Sequence, residues 1–588
     1  MNNASLRGAS VAVGVFLMSL AIAGLSVVLA RLHSALLGHN FSALPVSLPI
    51  AGSAIGLGVA AFFVNDRRVS ASKASTFAGL GTIASVFAVI QAIRTKLGEL
   101  DPASQWKEFL ILLSLTVPVF VLRGLVLAMV VRGPTRAVLA ADLLGSGFGA
   151  FFGGALLPLG APRAGLVLAI IFGASSVAFA LSASRDPALT SSDRRAVGFR
   201  AVAFLLAGMM LLWGDYGERW LELSKARAVS IDRAVFSRWT TRGLLTIDKP
   251  SSAGYSMVGW DGNAKTAVHG PKTAPRLPEH ALYGVLDTDA PVVVLGAGSI
   301  RDVRAALLAG RQHVIAVEPD RTLAHDVMGG LLAAQIDSVL ARPEVELVLA
   351  DPRVFVRTSD RTFAAIILPG IDVSAGPNVR GLAVEESLLY TTDAFASYLS
   401  ALDPNGYLLI RRWDPDLGRL LALAASALGP EPKRHLFACS HTGSTALFVK
   451  RTPLTDDDVA RLRGGCSPRF IEVFSPDTER DRGHEARVTH AAEPEAATKL
   501  TPATDDSPSF FVRTSGSEAL SRLYSPAALR VAGPESGVLV ILVYLGALAL
   551  VLLFAARAAR WVREGTWGAP QAPWALAEIG RASCRERV

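Results

Sequence analysis

Two glycines and two carboxylates stand at intervals that suit a nucleotide-like ligand. The stretch VVVLGAGSIRDV (Val292–Val303) is an apolar run followed by Gly296 and Gly298, and a helical pattern starts near Arg301. Glycines at such a turn let backbone N–H groups approach a ligand closely, and a helix N-terminus behind them favours negative charge. Glu318 ends the next apolar run, twenty residues after Gly298. A carboxylate there accepts hydrogen bonds from both hydroxyls of a ribose. Asp351 ends a third run, where a polar side chain would meet an adenine. Asp302, at the start of the helix, joins Gly296, Gly298, Glu318 and Asp351 as a candidate cofactor contact. The plainer alternative is a sheet whose turns need glycine and whose strand ends carry solvated acids.

These positions need a scaffold of strands alternating with helices. VVVLGAG, HVIAVEPD, VELVLAD, FAAIILPG and GYLLIRRW read as strands, and DVRAALLAG, TLAHDVMGGLLAAQI and TDAFASYLSAL as helices. That rhythm predicts a Rossmann-like doubly wound sheet, mainly parallel, over 291–475. Before it, 214–290 carries short strand-like runs (ARAVSID, GLLTID, YSMVGW) between Gly, Asp and Pro turns, a small β region. Residues 476–533 are polar and contain the segment TDD, a linker. The first 213 residues are different. Apolar runs near 10–30, 43–64, 74–93, 109–131, 137–158, 164–183 and 198–213 predict about seven membrane spans, and 534–556 one more. The expected architecture is therefore an α-helical membrane bundle plus an α/β soluble domain, with a basic tail at 557–577.

Composition agrees. Of 588 residues 51% are hydrophobic and 18% charged, and mean hydropathy is +0.39. The formal net charge of +8 fits Arg-rich loops against anionic lipid. Nucleic-acid binding would need a basic stripe interleaved with aromatics, which the sequence lacks. Three scattered cysteines make neither a disulfide framework nor a CxxC pair. His435, Cys439 and His441 have types that suit zinc, yet no fourth ligand accompanies them, so no metal is expected. The final EIGRASCRERV (578–588) reads as a translated sequencing adapter and is set apart from the fold.

VVVLGAGSIRDVRAALLAG, VIAVEPD and VELVLADPRVFV together resemble the class I methyltransferase fold, in its spermidine synthase (aminopropyltransferase) branch. EESLLYTTDAFASYLSALDPNGYLLIRRW (Glu385–Trp413), ATDDSPSFF (Ala503–Phe511) and DLLGSG (Asp142–Gly147) resemble multi-pass membrane proteins carrying a spermidine synthase-like domain. The resemblance implies S-adenosylmethionine or its decarboxylated form as ligand, with the glycine loop at the sulfonium, Glu318 at the ribose and Asp351 near the adenine. It implies a small-molecule amine as acceptor, with Glu386 and Tyr390 on the substrate side. Two departures stand out. Ile300 occupies the third small position of the glycine loop. Pro369 stands where aminopropyltransferases carry the first Asp of an Asp-x-x-Asp signature, leaving Asp372 as the candidate catalytic base. Losing a positioned base costs roughly 10²–10⁴ in rate.

Three readings follow. One is a membrane-embedded transferase, of an aminopropyl or a methyl group. The second is a non-catalytic adenosyl-ligand sensor, favoured over the first by Ile300 and Pro369. The third is a transporter, which would need paired charges inside the spans. Arg123 is the clear internal charge, and Asp142 reads as an interfacial acid or helix cap. Arg67, Arg68, Lys73, Arg132, Arg136, Arg194 and Arg195 favour a cytoplasmic N-terminus in an inner membrane, and seven spans would then put the soluble domain outside. The ligand argues for the cytosol.

Overall fold

The computed structural model describes residues 3–36, 44–63, 70–95, 102–130, 135–210, most of 225–298, 300–370, 388–441, 443–466, 471–477, 502–506 and Phe510. The predicted linker beyond 477 falls mostly outside these residues, and the predicted span 534–556, the basic tail and 578–588 fall wholly outside.

Seven helices open the chain: α1 (Asn3–Leu36), α2 (Leu44–Phe63), α3 (Ala71–Arg94), α4 (Pro102–Val130), α5 (Thr135–Leu156), α6 (Ala161–Ser184) and α7 (Ser191–Met210). Among the described residues five are long and apolar enough to cross a membrane: Leu6–Leu36, Ala71–Arg94, Ile111–Val130, Arg136–Leu159 and Ala161–Ser184. The apolar part of α2, Ser47–Ala60, is shorter. Helix α7 starts earlier than its apolar run predicted and carries Asp193, Arg194, Arg195 and Arg200 in its first half. Small residues set the packing. A Cβ on Gly145, Gly149 or Gly153 would come within 2.4, 2.3 and 2.6 Å of the carbonyls of Phe16, Leu20 and Gly24. The four-residue interval puts all three on one face of α5, so α5 lies backbone to backbone on α1.

After a two-rung ladder of β1 (Lys225–Ala226) and β2 (Val229–Ser230), four antiparallel strands form a meander: β3 (Ala234–Thr240), β4 (Gly243–Asp248), β5 (Tyr255–Trp260) and β6 (Ala264–His269). Strand β4 is buried on both faces. Leu244 belongs to the core of the helical bundle, and its neighbour Leu245 to the core of the sheet that follows. Alternation along a strand is what lets one element serve two cores. The meander seats on the end of the bundle where α1 finishes. There Ser34 donates to Asp261 Oδ2 at 3.0 Å and Leu244 N–H donates to Asp261 Oδ1 at 2.7 Å. Burial pushes the Asp261 carboxyl up, against those two hydrogen bonds and the charge of Arg31. Arg7 and Asp186 pair at the opposite end of the bundle.

A short helix, α8 (Glu279–Tyr283), leads into the main unit. It runs β7 (Val292–Leu295), α9 (Arg301–Leu308), β8 (Val314–Val317), a π-helical segment (Thr322–Leu331), β9 (Val345–Val348), α10 (Pro352–Thr358), β10 (Phe363–Leu368), α11 (Thr392–Ser400), β11 (Leu402–Trp413), α12 (Leu417–Leu428), β12 (Leu436–His441), β13 (Ser444–Lys450), α13 (Asp456–Cys466) and β14 (Ile471–Phe474). Its eight strands lie in the order β9-β8-β7-β10-β11-β13-β12-β14. The first five are parallel, and β13 and its neighbours are antiparallel. Every residue of β7, β8 and β10 is buried, as unbroken apolar strands in a covered parallel sheet must be. This is the Rossmann-like doubly wound unit expected, with an antiparallel hairpin at one edge.

Helix α13 is fixed to that edge by Asp458, which accepts from Tyr407 Oη at 2.8 Å and Lys450 Nζ at 2.7 Å. Burial alone would raise the Asp458 carboxyl, but hydrogen bonds from Lys450, Thr455 and Tyr407 outweigh it and hold it at about 2. A depressed folded-state value gives stability that is present above the unfolded value of 3.8 and lost as pH falls towards 2. Asp458→Asn is therefore expected to lower stability at neutral pH and to flatten its loss between pH 4 and 2. Thermal unfolding in detergent across that range measures both, and an unchanged acid limb would contradict the role given to Asp458.

Candidate functional site

The strand order reverses between β7 and β10, so the crevice beyond their C-terminal ends is where an open α/β sheet binds ligands. Gly296, with φ +80°, turns the chain after β7, and Gly370, with φ +67°, turns it after β10. The glycine loop and Glu318 meet there. A Cβ on Gly298 would lie 3.1 Å from Glu318 Oε2 and 2.7 Å from Leu323 Cδ2, so only glycine lets the loop lie against the carboxylate. Glu318 is buried, and its Oε1 accepts from the N–H of Asp320 at 3.0 Å. Ala297, Gly298, Ile300, Glu318, Leu323 and Met328 are among the residues lining a narrow cleft there, which in this arrangement leaves no room for a water molecule.

Ile300 explains part of this narrowness. It has φ +59° and is 2% exposed, with its side chain in the core beside the cleft. A β-branched residue in the left-handed region costs about 1–2 kcal/mol. Its N–H donates to Ala297 O at 2.8 Å and its carbonyl accepts from Arg304 N–H at 2.8 Å, which hold the turn at the head of α9.

The other expected cofactor contacts are already engaged. Asp351 caps α10, its Oδ1 accepting from the N–H groups of Arg353 and Val354 at 2.9 and 3.1 Å. Asp302 was expected at the cofactor, but it is 1% exposed and forms a two-pronged pair with Arg411, at 3.2 and 3.4 Å. Arg411 also donates to Pro369 O at 3.0 Å. A ligand reaches Asp302 only by breaking that pair. The pair instead ties α9 to the ends of β10 and β11.

Tyr390, expected on the substrate side or in the core, is likewise engaged. Its side chain is fully buried, stacked on Phe510 at 4.8 Å with the Arg412 guanidinium 5.0 Å from its ring centre. Burial pushes its hydroxyl well above the ordinary tyrosine range. In this arrangement it packs in the core between Phe510 and Arg412. Asp372 and Glu386 lie outside the described residues.

The structure does bring together the two segments whose wording is most distinctive. Asp505 of ATDDSPSFF accepts from Thr391 Oγ1 at 2.6 Å and pairs with Arg353 at 3.1 Å, and its N–H donates to Asp393 Oδ2 at 2.9 Å. Thr392 N–H donates to Ala503 O at 2.8 Å. The TDD segment is thus a clasp on α11 and α10, as a loop cap would be. Sequence reading passed over Arg353 and Asp393. The signal was present in the paired TTD and TDD segments, TTD supplying the Thr391 hydroxyl and the Asp393 carboxylate, and TDD the Asp505 carboxylate and N–H. Among the described residues no cluster of three metal-ligating side chains forms.

No family model matches the chain, and no curated protein matches it. Among solved structures it is similar to a spermidine synthase in complex with the transition-state analogue AdoDATO, at 16% identity and TM-score 0.31 over 46% of this chain and 87% of that one. It is also similar to spermidine synthase from Thermotoga maritima, at 16% identity and TM-score 0.32 over 46% and 87%. Human methyltransferase-like protein 13 in complex with SAH is a third, at 14% identity and TM-score 0.25 over 37% and 98%. The class of fold rests on the chain's own sheet order: an N-terminal helical region followed by a Rossmann-like, methyltransferase-like sheet.

Proposed function

We propose that this is a multi-pass inner-membrane protein whose soluble unit binds an adenosyl ligand of the sulfonium type, S-adenosylmethionine or its decarboxylated form. The observation that carries this is the contact of Gly298 with the buried Glu318 carboxylate at the strand switch point. That pairing offers close backbone approach beside an acceptor for a ribose diol. Two solved structures of similar topology hold AdoDATO and SAH, which are ligands of this chemistry. Group transfer to an amine is the chemistry the resemblance implies, with methyl transfer as its variant. A non-catalytic adenosyl sensor is the second reading. It is favoured at Pro369, which has no side-chain base and whose carbonyl is taken by Arg411.

Calorimetry on the full chain in detergent tests the first step, with S-adenosylmethionine, its decarboxylated form and the thioether product as titrants. Binding of at least one is expected, and heat from none would overturn the proposal. If decarboxylated S-adenosylmethionine binds, incubation with putrescine separates transferase from sensor. Aminopropyl transfer that Asp372→Asn abolishes would establish turnover, and binding without transfer would establish the sensor.

A further inference from the structure

A charged pair sits inside the helical bundle, well away from the crevice. Arg123 Nη2 lies 2.8 Å from Asp142 Oδ1, which also accepts from Ser19 Oγ at 2.5 Å, and Arg123 Nη1 donates to Ser53 Oγ at 3.2 Å. Four helices, α1, α2, α4 and α5, each contribute one side chain. Asp142 was read from the sequence as an interfacial acid or cap, and Arg123 as the one clear internal charge. The fold makes them partners, because α4 and α5 run antiparallel and place both residues about 10 Å inside the bundle from their shared end.

The pair bridges a gap. Helix α4 packs on α2 and α3, and α5 packs on α1, while α4 and α5 themselves make little contact. The Arg123 and Asp142 side chains stay 15% and 22% exposed beside the apolar flank of α5. There Leu139 and Leu143, on either side of Asp142 along α5, are 37% and 55% exposed, and nothing lies within 4 Å of a Cβ on Gly147. Ser146, one turn after Asp142, continues a polar line along α5. Two polar atoms are unsatisfied. Among the described residues nothing accepts from the buried Arg123 Nε. Among the described residues nothing donates to Asp142 Oδ2, and the Asp142 side chain is 22% exposed. Unpaired polar atoms at this depth in hydrocarbon are costly.

A neutral pair whose guanidinium uses two of its five N–H donors on Ser53 and Asp142, and whose carboxylate keeps Oδ2, is matched by a molecule that brings an oxyanion and an ammonium together. The apolar opening adds a second requirement, acyl chains. We propose that the gap between α4 and α5 binds an aminophospholipid of the phosphatidylethanolamine type, with its phosphate on Arg123 and its ammonium on Asp142. A choline headgroup has no N–H for Asp142 Oδ2, and a glycerol headgroup has no cation. This rests on the reading of the bundle as membrane-embedded.

The test is native mass spectrometry of the full chain, delipidated in detergent and offered phosphatidylethanolamine, phosphatidylcholine and phosphatidylglycerol with identical chains. Retention of the ethanolamine lipid about tenfold over the other two is expected, the size of one charge-assisted hydrogen bond. Asp142→Asn, if it folds, is expected to lose the preference. Equal retention of all three lipids by the wild type would overturn the proposal without any variant, as would an unchanged preference in folded Asp142→Asn. Displacement of the bound lipid by equimolar soluble phosphoethanolamine would overturn the lipid as the source. If alkaline carbonate releases the chain from membranes without detergent, the membrane reading itself fails. A chain that needs detergent yet shows no lipid preference loses only this inference.

Discussion

Glu318→Ala is expected to weaken binding of the adenosyl ligand about a hundredfold, the largest effect on binding of any single change at the crevice. The carboxylate is buried and lines the cleft, its Oε2 is 3.1 Å from where a Cβ on Gly298 would stand, and its Oε1 holds the Asp320 N–H. A ribose diol would give it two charge-assisted hydrogen bonds, each worth about 1.5–3 kcal/mol. Their joint loss corresponds to roughly two powers of ten or more in Kd. Glu318→Gln keeps one acceptor and the shape, and is expected to lose about tenfold. Calorimetry with the 2′-deoxy form of the ligand separates ribose recognition from general damage to the cleft. If Glu318 reads the diol, the penalty of Glu318→Ala shrinks on that analogue. An equal penalty on both ligands would show that Glu318 only shapes the loop.

The parts of this site that the sequence displays are those set by local pattern. Unbroken apolar runs locate β7, β8 and β10, because a strand covered on both faces tolerates no polar residue. Gly296 and Gly298 mark the turn, and Glu318 marks the next strand end. What the sequence conceals depends on contacts between distant segments. The partner of Asp302 is Arg411, 109 residues later, and nothing in either neighbourhood announces the other. Tyr390 sits in a distinctive motif, yet only the docking of Phe510 decides that its ring points into the core. Strands β3 and β6 were not anticipated, since RAVFSRWT and AKTAVH carry charges and polar residues that dilute the alternation. The segment TLAHDVMGGLLAAQI reads as an ordinary helix, but most of it is wound as a π-helix, since apolar spacing does not distinguish bonds to the fourth residue from bonds to the fifth. Arg123 and Asp142 show the same limit in the bundle. Their chemistry is visible residue by residue, and their pairing exists only once α4 and α5 are packed.

Breaking the Asp302–Arg411 pair is expected to be strongly destabilising to the Rossmann-like unit. Asp302 is 1% exposed and the Arg411 side chain 10%, so Asp302→Ala takes away a carboxylate that a buried guanidinium grips through both of its terminal nitrogens. Removing one member of a buried pair costs about 3–5 kcal/mol, mostly because the other charge stays behind without its counter-ion. Replacing both members with apolar residues, Asp302→Leu with Arg411→Met, removes that uncompensated charge and is expected to regain much of the loss. Cys439 and Cys466 are buried on β12 and α13 and report opening of the sheet within the full chain. In a Cys584→Ser background, thiol labelling in increasing urea should show Asp302→Ala opening at markedly lower urea than the wild type, with the double variant between them. If Asp302 instead served the ligand directly, Asp302→Ala would label like the wild type and differ from it only in adenosyl binding. The two outcomes separate a residue that positions the glycine loop from one that touches what the loop holds.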